Sequence, residues 1–380
     1  MEPGSWIISL NKYGRYVIVF CWLLTTAIYY SHFGLFTGLE ADKYIGEANY
    51  FIAHGNFAVP KHWFYCATIF IIIFAIKIKA GLYGAFIIQA LINLCACLFF
   101  YKALKTICRY DLTALLIVLV LLIFWPYQSW IVYLYTESVF YSSILVLSSA
   151  LILYRSHNAK SILLIIAALF FVIISRPLGI LFIIPTLLYF YIGLKKHTRI
   201  ILLPVLIIGL FLAGYISNIV FSSSADTPIT LAVSQECIVC GIIPITHSSV
   251  NLSSQGTPLY QLYYYLANNF SHFLHFGMIK LKYFFMMTRS YYSIAHNIFL
   301  LIFIIPLYLL SIIRLFIPTT NKAFYFFQLS TLLLLCFTIM LQCDDYHNRF
   351  ILAIFPFFVI MAAQTAEHFM PYFLAGKDKQ

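Results

Sequence analysis

Glu40, Asp42, Lys43 and Tyr44 fall within five consecutive positions of a 380-residue chain in which only 9% of residues are charged. Carboxylates so placed are candidates for general-base chemistry, in which a carboxylate beside a hydroxyl or amine takes its proton as that group attacks. Further along stand Glu137 in Thr136-Glu137-Ser138, Arg176 in Ser175-Arg176-Pro177-Leu178-Gly179, and the run Asp344-Asp345-Tyr346-His347-Asn348-Arg349. Arg176 and Arg349 lie at the ends of apolar segments. A planar guanidinium there suits paired hydrogen bonds to a phosphate, with Lys43 as a weaker point charge. Cys237 and Cys240 have CxxC spacing, but His247 alone accompanies them, short of the four ligands of a structural zinc. They read as an optional disulfide or as inert. No spacing supports a divalent metal at the acidic loop, and no cofactor is expected.

Membrane helices must position these groups. Hydrophobic residues make up 63% of the chain and aromatic residues 19%, well above the roughly half apolar usage of a soluble domain. A bilayer core of about 30 Å takes about 20 apolar residues per helix. The expected fold class is therefore all-α, a polytopic integral membrane protein with a single membrane domain over 1–380. Candidate spans are 16–36, 81–101, 112–134 with Pro126 as a kink, 137–154, 161–175, 178–194, 201–221, 291–313, 323–341 and 350–366, about ten transmembrane helices. The first, behind Lys12 and Arg15, is too long for a signal-peptide core and reads as an anchor. The stretch 63–76 ends in Lys77 and Lys79 and suits a re-entrant or interfacial helix.

The net charge of +11 does not imply nucleic acid, because Lys and Arg form no dense run and gather instead at the ends of apolar segments. With ten crossings, 14 of the 23 basic residues fall on the side of Lys12 and Arg15, which predicts both termini in the cytoplasm of a plasma or inner membrane. Glu40, Asp42, Glu47, Glu137, Asp226, Glu236, Asp344 and Asp345 fall on the opposite side. Chemistry is accordingly expected on the extracytoplasmic face, at a first external loop over 37–62 and a second over 222–290, each with an interfacial helix. The aromatic and basic mixture of 259–289 fits contact with the lipid bilayer.

Around the first acids the chain runs Glu40-Ala41-Asp42-Lys43-Tyr44, then Ala48 and, where the helix should end, Gly55, Phe57 and Pro60. An acid shortly before an aromatic, an alanine four residues on, and a helix closing at Gly before an aromatic and a proline resembles the first external loop of GT-C superfamily glycosyltransferases. Protein O-mannosyltransferases and lipid A aminoarabinose transferases are examples. Thr136-Glu137-Ser138, the Arg176 break and the 344–349 run follow in the family's order, with Ala41 between two acids that are adjacent in the family. The resemblance implies a GT-C-like fold, a polyprenyl-phosphate-linked sugar donor, a glycan, lipid or protein acceptor, and inversion at the anomeric carbon. It implies Asp42 as first choice for the acceptor base and Glu40 as second. Arg349 and Arg176 would hold the phosphate and Asp345 the sugar or acceptor hydroxyls, with Lys43, Tyr44, Glu137, Asp344 and His347 also at the substrate.

The chemistry agrees: charge developing on the phosphate leaving group calls for cations, and no Gly-rich fingerprint marks a nucleotide-sugar domain. Bland roles fit the same residues. Acids favour a helix N-terminus, Asp344 and Asp345 could pair with Arg349 to fix a helix end, and Arg176 could snorkel to the interface. Two other readings remain, an O-antigen-type polymerase or ligase and a lipid or small-solute transporter. The transporter would place charges within its spans, where this chain has Asn93 and Gln89 among few polar groups.

Overall fold

The computed structural model describes residues 4–154, 158–193, 236–239, 250–253, 255–319, 321–343 and 346–375, together with 204, 207–209, 211–212, 214–215 and 218. Among them the regular structure is helical, with an isolated bridge between Phe36 and Tyr133. The helices are α1 (Gly4–Phe33), α2 (Glu40–His54), α3 (Cys66–Lys77), α4 (Gly81–Leu104), α5 (Asp111–Ile123), α6 (Trp125–Gln128), α7 (Glu137–Ile152), α8 (Ala159–Ser175) and α9 (Ile183–Gly193). Beyond these come α10 (Pro258–Asn268), α11 (Phe270–Met286), α12 (Ile294–Arg314), α13 (Lys322–Leu341) and α14 (Arg349–Ala375).

Among the described residues, five helices are long and apolar enough to cross a bilayer: α1 from Tyr13, α4, α12, α13, and α14 as far as Met370. The protein is thus a multi-pass membrane protein. A sixth candidate joins α5 to Trp125–Val132 across a 70° bend. Phe124 is extended there, and Pro126 in the first turn of α6 has no N–H to continue the α5 ladder. The expected spans at 137–154, 161–175 and 178–194 appear as apolar helices below crossing length, and most of 201–221 lies outside the described residues. In α7 the cause is visible: all but one of its residues are buried, so its apolar composition reflects protein contact on all sides. Arg176, extended and followed by Pro177, ends α8. The stretch 63–76 forms the short α3, behind a 3₁₀ turn over Pro60–Tyr65.

The chain divides into two compact units, each drawn from separate stretches. The first comprises 1–179, 307–320 and 355–380, and the second 180–306 and 321–354. In the first unit α7 packs between α4 and α8, α1 lies on α5, and α3 bridges α4 and α2. A network of its mid-helix polar groups centres on Asn93. Asn93 accepts from Trp22 Nε1 at 3.0 Å and Gln128 Nε2 at 2.9 Å, and donates to Ser142 Oγ at 3.1 Å. Gln89 donates to the carbonyls of Ile131 and Tyr133 at 2.8 and 2.9 Å, serving the irregular backbone after α6. In the second unit α13 packs on α9 and α11. Gly277 permits the latter approach, since a Cβ there would lie 2.7 Å from the Met340 side chain.

Candidate active site

Helix α2 begins at Glu40 behind Leu39, whose φ of 57° turns the chain sharply out of the preceding loop, and it closes on left-handed Gly55. Ala41, Tyr44, Glu47 and Ala48 form its buried face. Asp42 and Lys43 are on the exposed face, while Glu40, one turn before Tyr44, is half-buried. The two acids therefore have different surroundings. Glu47 holds the following loop, accepting a hydrogen bond from Ala58 N–H at 3.2 Å and standing 3.0 Å from His62 Nδ1. The His62 contact is an ion-pair distance without hydrogen-bond alignment. Burial pushes the His62 pKa below its ordinary value, with Lys43 pulling the same way and Glu47 opposing.

Glu137 opens α7, and Arg176 follows the last residue of α8. The packing of those two helices brings them together as a buried ion pair between Arg176 Nη1 and Glu137 Oε1. Glu137 is wholly buried and Arg176 is 7% exposed. The turn after Arg176 folds back tightly, with Gly179 N–H donating to the Arg176 carbonyl at 2.8 Å. A Cβ on Gly179 would run into the Val172 carbonyl, so glycine is required there.

Tyr44 joins the two groups. Burial raises its phenol well above the ordinary range, with Glu40, Tyr65 and Glu137 adding to the rise and Arg176 opposing it. Its ring lies 5.6 Å from that of Tyr65, over which Lys43 Nζ stands at 5.7 Å. Glu40, Tyr44, Glu137 and Arg176 thus form one polar constellation of the first unit. It contains a carboxylate near a partly accessible helix start, a phenol that can donate, and a guanidinium oriented by a second carboxylate.

The other expected site residues belong to the second unit. His347 and Asn348 both have left-handed backbone, with φ of 57° and 61°, ahead of Arg349 at the start of α14. Such a pair of non-glycine residues is strained, and its surroundings must hold it. Asn348 Nδ2 donates to the Met287 carbonyl at 2.7 Å, and His347 Nδ1 lies 3.3 Å from Tyr292 Oη, their rings stacked. Arg349 is buried, as is Arg289 two residues beyond Met287. Asp344 and Asp345 lie outside the described residues, as do Asp226, Cys240 and His247. Among the described residues no group of three or more His, Cys, Asp and Glu side chains could hold a metal ion.

No family model, no curated protein and no solved structure matches this chain. The site therefore rests on its own geometry. Three features are absent from the sequence reading: His62 beside Glu47, Arg289 near the 347–349 turn, and Lys280, buried in the second unit. A buried lysine on a helix of mixed Tyr, Phe and His was the one signal available. Such residues are read as interfacial until a packing partner is known.

Proposed function

We propose that the chain is a membrane glycosyltransferase with a GT-C-like fold, moving a sugar from a polyprenyl-phosphate carrier to an acceptor on the extracytoplasmic face. The observation that carries the reading is the Glu40, Tyr44, Glu137 and Arg176 constellation, assembled at helix ends in a chain whose helices are otherwise nearly free of charge. Four groups of that kind suit a transfer that needs a proton acceptor for the incoming nucleophile and a cation for the departing phosphate.

In this reading Glu40 takes the acceptor proton, because it stands on the side of Tyr44 and Asp42 does not. Glu137 holds the Arg176 fork in one orientation, and the guanidinium meets the phosphate oxygens as the glycosidic bond breaks. Lys43, on the exposed face of α2 in the same unit, is a peripheral contact. Transport is the weaker reading for a stated reason: Asn93, Gln89, Gln128 and Ser142 of the first unit are engaged by one another or by backbone carbonyls. Comparison of cell-envelope glycans with and without the protein tests the proposal. A sugar missing from one envelope component is the expected result, and identical glycans under conditions where the protein is abundant would refute it.

A further inference from the structure

The groups that should meet a lipid phosphate and an acceptor are closed off. Glu137 is wholly buried, Tyr44 is 3% exposed and Arg176 7%. A ligand as large as a lipid-linked sugar reaches them only when a neighbouring element moves aside. Beside Tyr44 the segment 55–65, between α2 and α3, contains no α-helical turn. It leaves α2 at left-handed Gly55 and ends in the Pro60–Tyr65 turn, which packs against α3 and α8. Tyr65, the last residue of that turn, sets its ring 5.6 Å from that of Tyr44. The segment thus lies between the helix that precedes Arg176 and the phenol of the constellation.

Two kinds of contact hold the segment in place. Phe57 and Trp63 pack on each other and on Phe70 of α3, and Phe57 also packs on Phe51 of α2. The polar contacts centre on Glu47, which accepts from Ala58 N–H at 3.2 Å and stands 3.0 Å from His62 Nδ1. His62 is 3% exposed, and neither of its ring nitrogens has a hydrogen-bond partner among the described residues. A neutral imidazole fits such a place better than a charged one. The protonated ring carries an N–H on each nitrogen, and the one on Nε2 would be buried with no acceptor. Glu47 offsets only part of that cost, because its contact with Nδ1 lacks hydrogen-bond alignment.

We propose that the segment 55–65 is a gate beside Tyr44, latched shut while His62 is buried and neutral against Glu47, and released in acid when His62 takes up a proton. Release moves the imidazole into water, where both N–H groups find acceptors, and carries Tyr65 away from Tyr44. The gating role rests on the glycosyltransferase reading. The latch itself does not, since it follows from the burial and contacts of His62 alone.

The charges around the ring agree with this direction. Burial holds the His62 pKa below its ordinary value, Lys43 and Lys61 push the same way, and Glu47 opposes them. Of the elements packed on the turn, α8 has Lys160 at its exposed start as its one charged residue, and α3 has Lys77 at its far end. In the open form the imidazole returns toward the ordinary value of about 6.5, so that form binds the proton more tightly. The latch is therefore intact above about pH 6.5. Below it, closure weakens by up to about tenfold per pH unit until the lowered pKa of the closed form is passed.

The test is amide hydrogen exchange on the full-length protein in detergent between about pH 7.5 and 5.5, with labelling times scaled for the intrinsic pH dependence of exchange. Peptides covering 55–65 report the latch, because the Ala58 N–H is bonded to Glu47 and the His62 N–H to the Val59 carbonyl at 3.0 Å. Wild-type protection there should fall by up to about tenfold below pH 6.5, while α4 keeps its protection. His62→Gln, neutral at every pH, should hold one level of protection throughout. If that variant does not accumulate, Glu47→Gln decides the matter: its amide oxygen still accepts from Ala58, and the loss in acid should persist. Constant protection in the wild type, an equal loss in α4, or a wild-type loss in His62→Gln would overturn the latch. So would a Glu47→Gln variant that no longer responds to pH, since the proton would then be the carboxylate's. No sugar donor enters the measurement, so its outcome is separate from whether the chain transfers one.

Discussion

Removing one member of the Glu137–Arg176 pair leaves the other's charge among buried side chains, which typically costs about 3–5 kcal/mol. Removing both leaves no stranded charge. Glu137→Gln and Arg176→Met should each lower the thermal midpoint in detergent by several degrees, and the double variant should recover part of the loss. Strictly additive losses would mean that the two residues do not act as a pair. Both residues were legible as candidates from their types and places, but their partnership was not. They are 39 positions apart, and only the packing of α7 on α8 brings them together. The acids of α2 show the same limit. Their two-residue spacing requires that they differ in orientation, yet which one turns inward depends on Tyr44 and Ala48 finding a packing surface.

At the scale of elements, punctuation residues carried much of the fold. Asn158, Thr257 and Asn321 each accept a hydrogen bond from a backbone N–H in the first turn of α8, α10 and α13, and Pro258 opens α10. Pro126 marks the bend after α5. Helix lengths were less legible, because an apolar run reads alike whether lipid or protein surrounds it. α7 and α8 were therefore expected as spans and are shorter than a crossing requires. What the bend needs from its neighbours is the Asn93 network, which joins α1, α4, α6 and α7. Asn93→Leu removes the acceptor for both Trp22 and Gln128, so each buried donor loses its partner at roughly 1–3 kcal/mol. The expected outcome is a lower thermal midpoint together with new protease cleavage in 124–135. Wild-type stability in that variant would mean that the bend is held by apolar packing alone.

Over the whole molecule, the two compact units divide the expected site residues between them. Glu40, Tyr44, Glu137 and Arg176 belong to the first, and His347 and Arg349 to the second. Composition and long uninterrupted apolar runs identified a helical membrane protein, since the other fold that satisfies its backbone in lipid, a closed barrel, would show short alternating strands. The division into units was not legible, because it depends on long-range returns of α12 and α14 that hydropathy does not encode. The central claim is that the first unit supplies the proton acceptor for transfer from a lipid phosphate. The measurement that tests it most directly is transfer by the purified, reconstituted protein from a panel of synthetic polyprenyl-phosphate sugars to envelope extract. Wild type, Glu40→Gln and Asp42→Asn would be compared at equal folded amounts. The account predicts transfer by the wild type, a loss of about 10² to 10⁴ in rate for Glu40→Gln, and little change for Asp42→Asn. Full activity in Glu40→Gln, or no transfer by the wild type from any donor, would contradict it.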